Sequence, residues 1–329
     1  MRTVAHNMNS ANRKATGTVR RLLIVLNYVV LVGSWVVLAS GDAYAWGAGI
    51  HIVKGSYILD HLHLILPSVA QLLRAFPNDF LYGCISADFF VGKGHRRRDD
   101  HCHNWSVGLR MLAGAETPRT KAFCYGYLAH LAADIIAHNY YIPNQLYLTS
   151  STKRLGHLYW EFSSDVHIDP SYWGLARRIV ETQNQENDAS MESVVKKKIF
   201  SLKTKKRVYV RALNLTDLER WRQACKLMRR NSRWSVSQEY VDWMRNLSIS
   251  LAIEFLRGPE SSVCLNYDPV GTRNITRAKR LRRSTKRLTG TRPVTRIFEI
   301  PGDLTQHDTG LLTIDPASAI SLLGEFFPT

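Results

Sequence analysis

The 329-residue sequence predicts a mainly α fold, organised as a multi-helix bundle. Apolar residues recur at helical spacing in 62–76, which is typical of a helix with one buried face. The run 121–142 is long, alanine-rich and apolar on nearly every face, so it belongs in the core. Strict alternation of apolar and polar residues, which marks a half-buried strand, is scarce.

Two further segments support this prediction. Residues 156–168 have the pattern of another helix, and 237–258 reads as an amphipathic helix that ends at Gly258. We expect Pro143 to end the helix of 121–142 soon after its last apolar residues, because proline rarely continues a helix.

The N-terminus has the features of a targeting segment. Arg20 and Arg21 precede the apolar stretch 22–40, and Ala43-Tyr44-Ala45 fits the A-x-A rule for signal-peptide cleavage. We therefore expect a signal peptide at 1–45 and an exported protein, periplasmic or secreted. The apolar stretch is longer than usual and approaches a membrane span, so an uncleaved membrane anchor is the alternative.

Positive charge is concentrated in the second half of the chain. The net charge is +17, which favours anionic partners such as phospholipid headgroups or nucleic acid, although solubility alone is the simpler interpretation. Residues 196–233 and 271–300 together hold 24 of the 44 lysines and arginines. We expect 259–329 to be a basic, partly disordered C-terminal region.

The five cysteines show no metal-binding or redox spacing. An odd number in an exported protein leaves at least one thiol unpaired, and the sequence allows one or two disulfides without assigning them.

The stretch 129–139, AHLAADIIAHN, carries the first candidate functional residues. His130, Asp134 and His138 are four residues apart, so on a helix they lie at about 0°, 40° and 80° and share one face. His157 and Glu161 repeat this spacing, which lets two side chains of one helix reach a common ion.

Further candidate ligands lie upstream. DDHCHNW supplies His101 and His103, and CISADFF places Asp88 in an apolar run, where a carboxylate is costly unless it is paired or binds a metal. Each residue has a simpler interpretation, since most helical histidines are core residues and Asp88 could cap a helix. As a set they predict a transition-metal site. Mixed imidazole and carboxylate ligands suit Zn²⁺ first, before Mn²⁺ or Fe²⁺.

The ordered set AWGAGIH, ADF, HCHNW, HLAADIIAH and HLYWE resembles the bacterial zinc-dependent phospholipases C. These enzymes share a helical trinuclear-zinc fold with the single-strand-specific zinc nucleases. The resemblance spans about 46–165 and implies a phospholipase C-like helical domain, which we place at 46–258. It also implies a multi-helix bundle around a multinuclear zinc site with up to three ions.

The resemblance implies nine metal ligands: Trp46, His51, Asp88, His103, His130, Asp134, His138, His157 and Glu161. Trp46 would be the mature N-terminus and would bind the first ion through its free amine and carbonyl oxygen, together with His51 and Asp134. Cleavage after Ala45 would expose Trp46 at the position that this family requires.

The other two ions follow from the same resemblance. Asp134 would bridge the first ion to a second, which Asp88, His103 and His130 would hold. Asp88 would also act as general base or orient the attacking water. The ligands of the third ion, which would leave room for water, are His138, His157 and Glu161.

Three details depart from the family pattern. The step from Asp134 to His138 is shorter than in the toxin-type phospholipases, and the step from Trp46 to His51 is closer to the nuclease pattern. His101 competes with His103, and we prefer His103 because it lies nearer the apolar stretch NWSVGL.

The resulting hypothesis is an exported zinc phospholipase C that hydrolyses the glycerol–phosphate ester by metal-activated water at a phospholipid membrane surface. A zinc nuclease acting on nucleic acid is the first alternative, favoured by the +17 charge and the short Trp46–His51 step, whereas Glu161 favours a phospholipase. The second alternative is a non-catalytic protein in which metal staples the bundle and the basic tail binds lipid or nucleic acid. We predict no obligate protein partner.

Overall fold

The computed structural model describes residues 46–90, 101–149, 160, 164–165, 167–182, 184–195, 201–216, 223, 236–290, 293–310 and 312–326. These residues belong to one compact unit, Gly41–Thr329. Every regular element among them is helical, which confirms the mainly α prediction. The predicted signal peptide or anchor at 1–45 and the candidate ligands His157 and Glu161 lie outside the described residues. Within the described part, no helix combines the length and apolarity needed to cross a bilayer.

The N-terminal half supplies the helices that surround the predicted ligands. They are α1 (Ala48–Asp60), α2 (Pro67–Ala75), α3 (Pro77–Ser86), α4 (Trp105–Ala113), α5 (Pro118–Ile136) and α6 (Ile142–Leu148). Short 3₁₀ turns at Leu62–Leu64 and Ala87–Phe89 follow α1 and α3. Proline lies in the first turn of α2, α3 and α5, where its missing N–H costs no helical hydrogen bond.

The C-terminal half adds seven helices in the described residues. They are α7 (Pro170–Glu181), α8 (Gln185–Val194), α9 (Leu202–Thr216), α10 (Gln238–Arg257), α11 (Thr272–Thr289), α12 (Gly302–Thr305) and α13 (Pro316–Phe326). Helix α10 ends at Gly258, as the sequence predicts. The predicted helix at 156–168 falls mostly on residues that the structure does not describe.

Helix α5 is the centre of the bundle, and α3, α4 and α10 pack against it. Its contact with α3 is unusually close at Gly83 and Gly126. A Cβ atom at Gly126 would lie 2.0 Å from the carbonyl oxygen of Phe80, and one at Gly83 would lie 2.1 Å from that of Phe123. Only glycine permits this approach, which brings the turn after α3 alongside the middle of α5.

A π-helical turn, Ala137–Tyr141, continues α5 directly into α6. The sequence predicted an uninterrupted α-helix that Pro143 ends, and this detail is wrong. Pro143 instead lies in the first turn of α6, where proline is tolerated. The chain therefore remains helical through the segment that contains His138.

The basic C-terminal segment, for which we expect partial disorder, contains a helix. Helix α11 forms within it and packs against α6 and the π-turn, because Ile275 and Ala278 bury their side chains there. The prediction from charge density did not include these two apolar anchors. The domain limits 46–258 and 259–329 remain a prediction.

The cysteines in the described part of the chain are buried. They are Cys84, Cys102, Cys124 and Cys264. Neither of the disulfides that the sequence allowed forms among them.

Candidate metal centre

Six of the nine predicted ligands converge in the interior, each no more than 3% exposed. Helix α1, the 3₁₀ turn after α3, the start of α4, helix α5 and the π-turn contribute to this cluster. Its members are His51, Asp88, His103, His130, Asp134 and His138.

Asp134 lies at the centre of the cluster. Its Oδ1 is 3.4 Å from His51 Nε2, and its Oδ2 is 3.1 Å from His130 Nε2 and 3.3 Å from His103 Nε2. The Nδ1 of His138 lies 3.9 Å from Oδ2. Burial opposes ionisation of this carboxyl, but the electrostatic effect of the surrounding imidazoles, His130 and His138 first, outweighs it and holds the pKa of Asp134 well below its usual value. Asp134 is therefore an anion shared by several imidazoles.

Asp88 lies on the other side of the same histidines. Its Oδ1 is 3.3 Å from His103 Nε2 and 3.7 Å from His130 Nε2, and the rings of His51 and His130 stack 3.8 Å apart. Ligand atoms of His51, Asp88 and His130 lie within 4.8 Å of one another, as do those of His103, His130 and Asp134. The cluster thus offers two overlapping ligand sets that share His130.

Backbone carbonyls fix how two of the histidines face the cluster. His130 Nδ1 lies 2.9 Å from the carbonyl oxygen of Cys84, and His138 Nδ1 hydrogen-bonds to that of Pro269. Because a carbonyl can only accept, we assign the proton to Nδ1 in both rings, which leaves an Nε2 lone pair for a metal. Such outer hydrogen bonds orient metal-binding imidazoles in known sites.

This assignment provides a test of whether a cation fits. The His130 Nε2 lone pair faces Asp134 Oδ2 at 3.1 Å, and two electron-rich atoms repel at that distance unless a cation lies between them. The Nε2 of His51 and both carboxylate oxygens of Asp134 are buried without a hydrogen bond. Buried polar atoms normally have partners, so this arrangement fits metal ligation.

The histidines differ in how their surroundings shift their pKa. Burial, and then the electrostatic effects of the neighbouring His130 and Lys54, lower the pKa of His51 to about 3. Burial also lowers the pKa of His138. At His103 burial acts in the same direction, but Cys102 and the two aspartates outweigh it and raise the pKa well above its usual value. Neutral His51 and His138 suit metal binding, and the raised pKa of His103 reflects local negative charge that a cation would neutralise.

Comparison with known families gives the cluster its context. The family model of zinc-dependent phospholipase C matches residues 50–211. The chain is similar to this family over those residues. The match confirms the resemblance and identifies zinc as the cofactor, and the buried histidines and aspartates can hold more than one ion. No curated protein and no solved structure shows a significant match to the chain.

Of the two histidines in HCHNW, His103, which we preferred over His101, is the one that faces the cluster. His103 Nε2 faces Asp88 and Asp134, whereas His101 Nδ1 accepts a hydrogen bond of 3.0 Å from the backbone N–H of His103. His101 thereby stabilises the turn from which the His103 side chain faces the cluster. The choice of His103 as ligand remains a prediction, to which the geometry is favourable.

Trp46 is fully buried beside the π-turn. Its indole N–H donates to Ser248 Oγ at 2.9 Å, and its ring stacks on Tyr141 at 5.0 Å. Gly47 then begins α1, one turn before His51. The predicted mature N-terminal residue is therefore held by its side chain against the segment that carries His138.

Two buried charged side chains of this site were missed by the sequence analysis. Asp165 accepts hydrogen bonds from the backbone amides of Gly47 and Gly49, and burial raises its pKa to about 8. Lys54 is also fully buried, with Nζ 3.4 Å from His51 Nδ1, and burial lowers its pKa. Helical spacing is a signal that points to both, since Lys54 follows His51 by three residues and Asp165 follows Glu161 by four.

The lowered pKa of His51 predicts that this residue destabilises the metal-free protein in acid. An unfolded imidazole binds a proton near pH 6.5, whereas folded His51 stays neutral down to about pH 3. The contribution of His51 to the free energy of unfolding is complete above pH 6.5 and falls by roughly 1 kcal/mol per pH unit below it. His138 acts in the same direction, and the raised pKa of His103 does not oppose it, because that contribution is complete below pH 6.5. The raised pKa of Asp165 acts in the opposite direction between pH 7 and pH 4, so the Asp165→Asn variant isolates the histidines.

The measurement is the thermal unfolding midpoint of the zinc-stripped Asp165→Asn variant between pH 7 and pH 4. A midpoint that stays constant or rises on acidification would show that His51 and His138 are already protonated in the folded protein.

Proposed function

We propose that the protein is an exported zinc-dependent phospholipase C that hydrolyses the glycerol–phosphate ester of phospholipids. One observation supports this most strongly. A buried cluster of four histidines and two aspartates, centred on Asp134, lies inside the region that matches this family. Its mixed nitrogen and oxygen ligands suit zinc, and carboxylate-rich sites of this kind differ from the closed, often cysteine-rich sites of structural zinc.

The chain's own residues divide the task in this proposal. His51 and Asp134, with the amine of Trp46, would hold one zinc, and Asp88, His103 and His130 would hold a second next to it. When bound, zinc supplies charge neutralisation at the phosphate and a water whose pKa lies near neutrality. Asp88 would accept the proton of that water, and the carbonyl of Cys84 keeps His130 in the tautomer that ligation requires.

The remaining assignments are also part of the proposal. His138 would bind a third zinc together with His157 and Glu161. Cleavage of 1–45 would release the amine of Trp46 and deliver the protein outside the cytoplasm, where its substrate is a phospholipid membrane. The burial of the Trp46 side chain supports this, because a fixed side chain keeps the α-amine of the same residue close to α1.

The test is turnover of phosphatidylcholine vesicles and of single-stranded DNA by the purified mature protein, before and after chelation and again after zinc is restored. We expect lipid turnover that chelation abolishes and zinc restores. Mass spectrometry of the intact protein should give the mass of a chain that begins at Trp46. DNA turnover without lipid turnover would replace the proposal with a zinc nuclease, which the net charge of +17 favours. Loss of folding on chelation, with neither substrate turned over by the zinc-loaded protein, would indicate a structural metal.

A further inference from the structure

Helix α11 begins directly at the metal centre. Gly271, the residue before it, has a φ of 65°, and a Cβ there would lie 2.3 Å from the carbonyl oxygen of His138. The carbonyl of Pro269 accepts the hydrogen bond from His138 Nδ1, and Asn274 Nδ2 donates to the carbonyl of Asn139 at 2.9 Å. The first turn of α11 is therefore fixed to the π-turn and cannot shift independently of His138.

The outer face of α11 carries a stripe of arginines. At 100° per residue, Arg273, Arg277, Arg280 and Arg287 fall within an arc of about 80°, which points away from the buried Ile275. All four side chains are exposed. The sequence contains no aspartate or glutamate from 269 to 298, and α6 beneath the helix has no charged residue. The arginine stripe thus presents positive charge that no acidic residue of its own helix neutralises.

Exposed apolar side chains lie at the far end of this stripe. Leu288 is 85% exposed and falls about 20° beyond the edge of the stripe at Arg277. Gly290 ends the helix with a φ of 65°, and Val294 just beyond it is 87% exposed. Cations beside protruding apolar residues are typical of elements that bind at the bilayer interface.

The same features argue against nucleic acid as the partner of this surface. Proteins that bind single strands combine cations with aromatic side chains on which bases stack. Helix α11 contains no phenylalanine, tyrosine or tryptophan, and leucine offers no stacking surface. Its charge also complements the negative surface of a membrane that contains anionic lipid.

We propose that the arginine stripe of α11 docks the protein on an anionic phospholipid surface, with Leu288 entering the headgroup region. This inference rests on the proposed function, because it gives the metal centre access to phospholipid at the surface where its substrate lies. Helix α11 would be the docking element and anionic lipid its partner, and the zinc-binding residues alone would indicate neither. Because α11 is fixed to the π-turn, docking would set the orientation of the metal centre relative to the bilayer.

The experiment measures binding of the full zinc-loaded protein to phosphatidylcholine vesicles with and without phosphatidylglycerol. The test variant reverses three charges of the stripe, Arg277→Glu, Arg280→Glu and Arg287→Glu. The matched control reverses three exposed charges at helical spacing on α9, Lys203→Glu, Arg207→Glu and Arg211→Glu. Since each cation near an anionic surface contributes about fivefold to partitioning, the α11 variant should bind at least about a hundredfold more weakly. The control should change by less than about tenfold.

A second variant separates insertion from charge. Leu288→Ser should weaken vesicle binding several-fold while leaving its salt dependence unchanged, because the apolar contact involves no counterion. Zinc content and the thermal midpoint of each variant show whether the fold is intact.

Other outcomes would overturn the docking proposal. Equal losses in the α9 and α11 variants would mean that the net charge acts diffusely, and equal binding to neutral vesicles would exclude electrostatic docking. Loss of single-stranded DNA binding alone in the α11 variant would assign the stripe to nucleic acid. Binding and turnover are scored separately, so normal vesicle binding by a protein that does not hydrolyse lipid would reject the proposed function while keeping the docking surface.

Discussion

Replacing Asp134 with alanine is expected to abolish zinc binding at the centre and to lower phospholipid turnover by at least about a thousandfold. Asp134 faces His51, His103 and His130 at 3.1–3.4 Å, so its removal takes away the carboxylate that we propose the first two zinc ions share. Changes in the outer hydrogen bonds of metal ligands already cost 10–100-fold in affinity or activity, and loss of a bridging ligand should cost more. Zinc content after dialysis and turnover on phospholipid vesicles measure the two effects.

Asp79 provides a matched control for this substitution. It is a similarly buried aspartate on α3, and its carboxylate accepts hydrogen bonds from Asn187 and Arg119, remote from the cluster. Asp79→Ala should lower the free energy of unfolding by about 1–3 kcal/mol, because it leaves those donors unpaired, yet it should retain zinc. If both variants kept the same zinc content, Asp134 would not be a ligand.

Gly126→Ala is expected to be the most damaging single-methyl change in the bundle. The added Cβ would lie 2.0 Å from the carbonyl oxygen of Phe80, an atom of the α3 backbone that cannot rotate away. Helices α3 and α5 would have to separate, and overpacking of a dense core typically costs up to about 3 kcal/mol. Urea unfolding should show at least that loss of free energy, and zinc content should fall with it, because the turn that follows α3 carries Asp88 and α5 carries His130.

The control for the glycine prediction is Gly174→Ala in α7. There the nearest heavy atom to the added Cβ is a flexible side-chain carbon of Leu323 at 3.9 Å. Alanine also favours helices by about 1 kcal/mol over glycine, so this variant should be neutral or slightly more stable. Equal stability of the Gly126 and Gly174 variants would mean that α3 and α5 are farther apart than described.

Local spacing was enough to predict which residues lie at the centre of the buried cluster. His130 and Asp134 share a helical face because 3.6 residues complete a turn, and Asp88 was identified because a carboxylate in an apolar run needs a partner. The mainly α class followed from the same periodicity. These inferences depend on neighbours along the chain, which the sequence shows directly.

Features that depend on distant partners were not predicted. The π-turn around His138 is held by hydrogen bonds from Asn139 Nδ2 to Ile135 and Asp268, and no local pattern reveals the second of these. Lys54 and Asp165 are charged residues whose burial depends on contacts across the bundle. The fold of α11 was missed because charge density hid the two apolar residues that anchor it.

The distribution of the cluster along the chain has a consequence for how the protein matures. Its six residues come from five segments, and the first and last are separated by α2, α3, α4 and α5. A chain that is still unfolded cannot present them together, so the complete centre can take up zinc only after these helices have assembled. Zinc uptake would then be a late step of biogenesis, and its rate after mixing with denatured protein would follow the slowest step of folding.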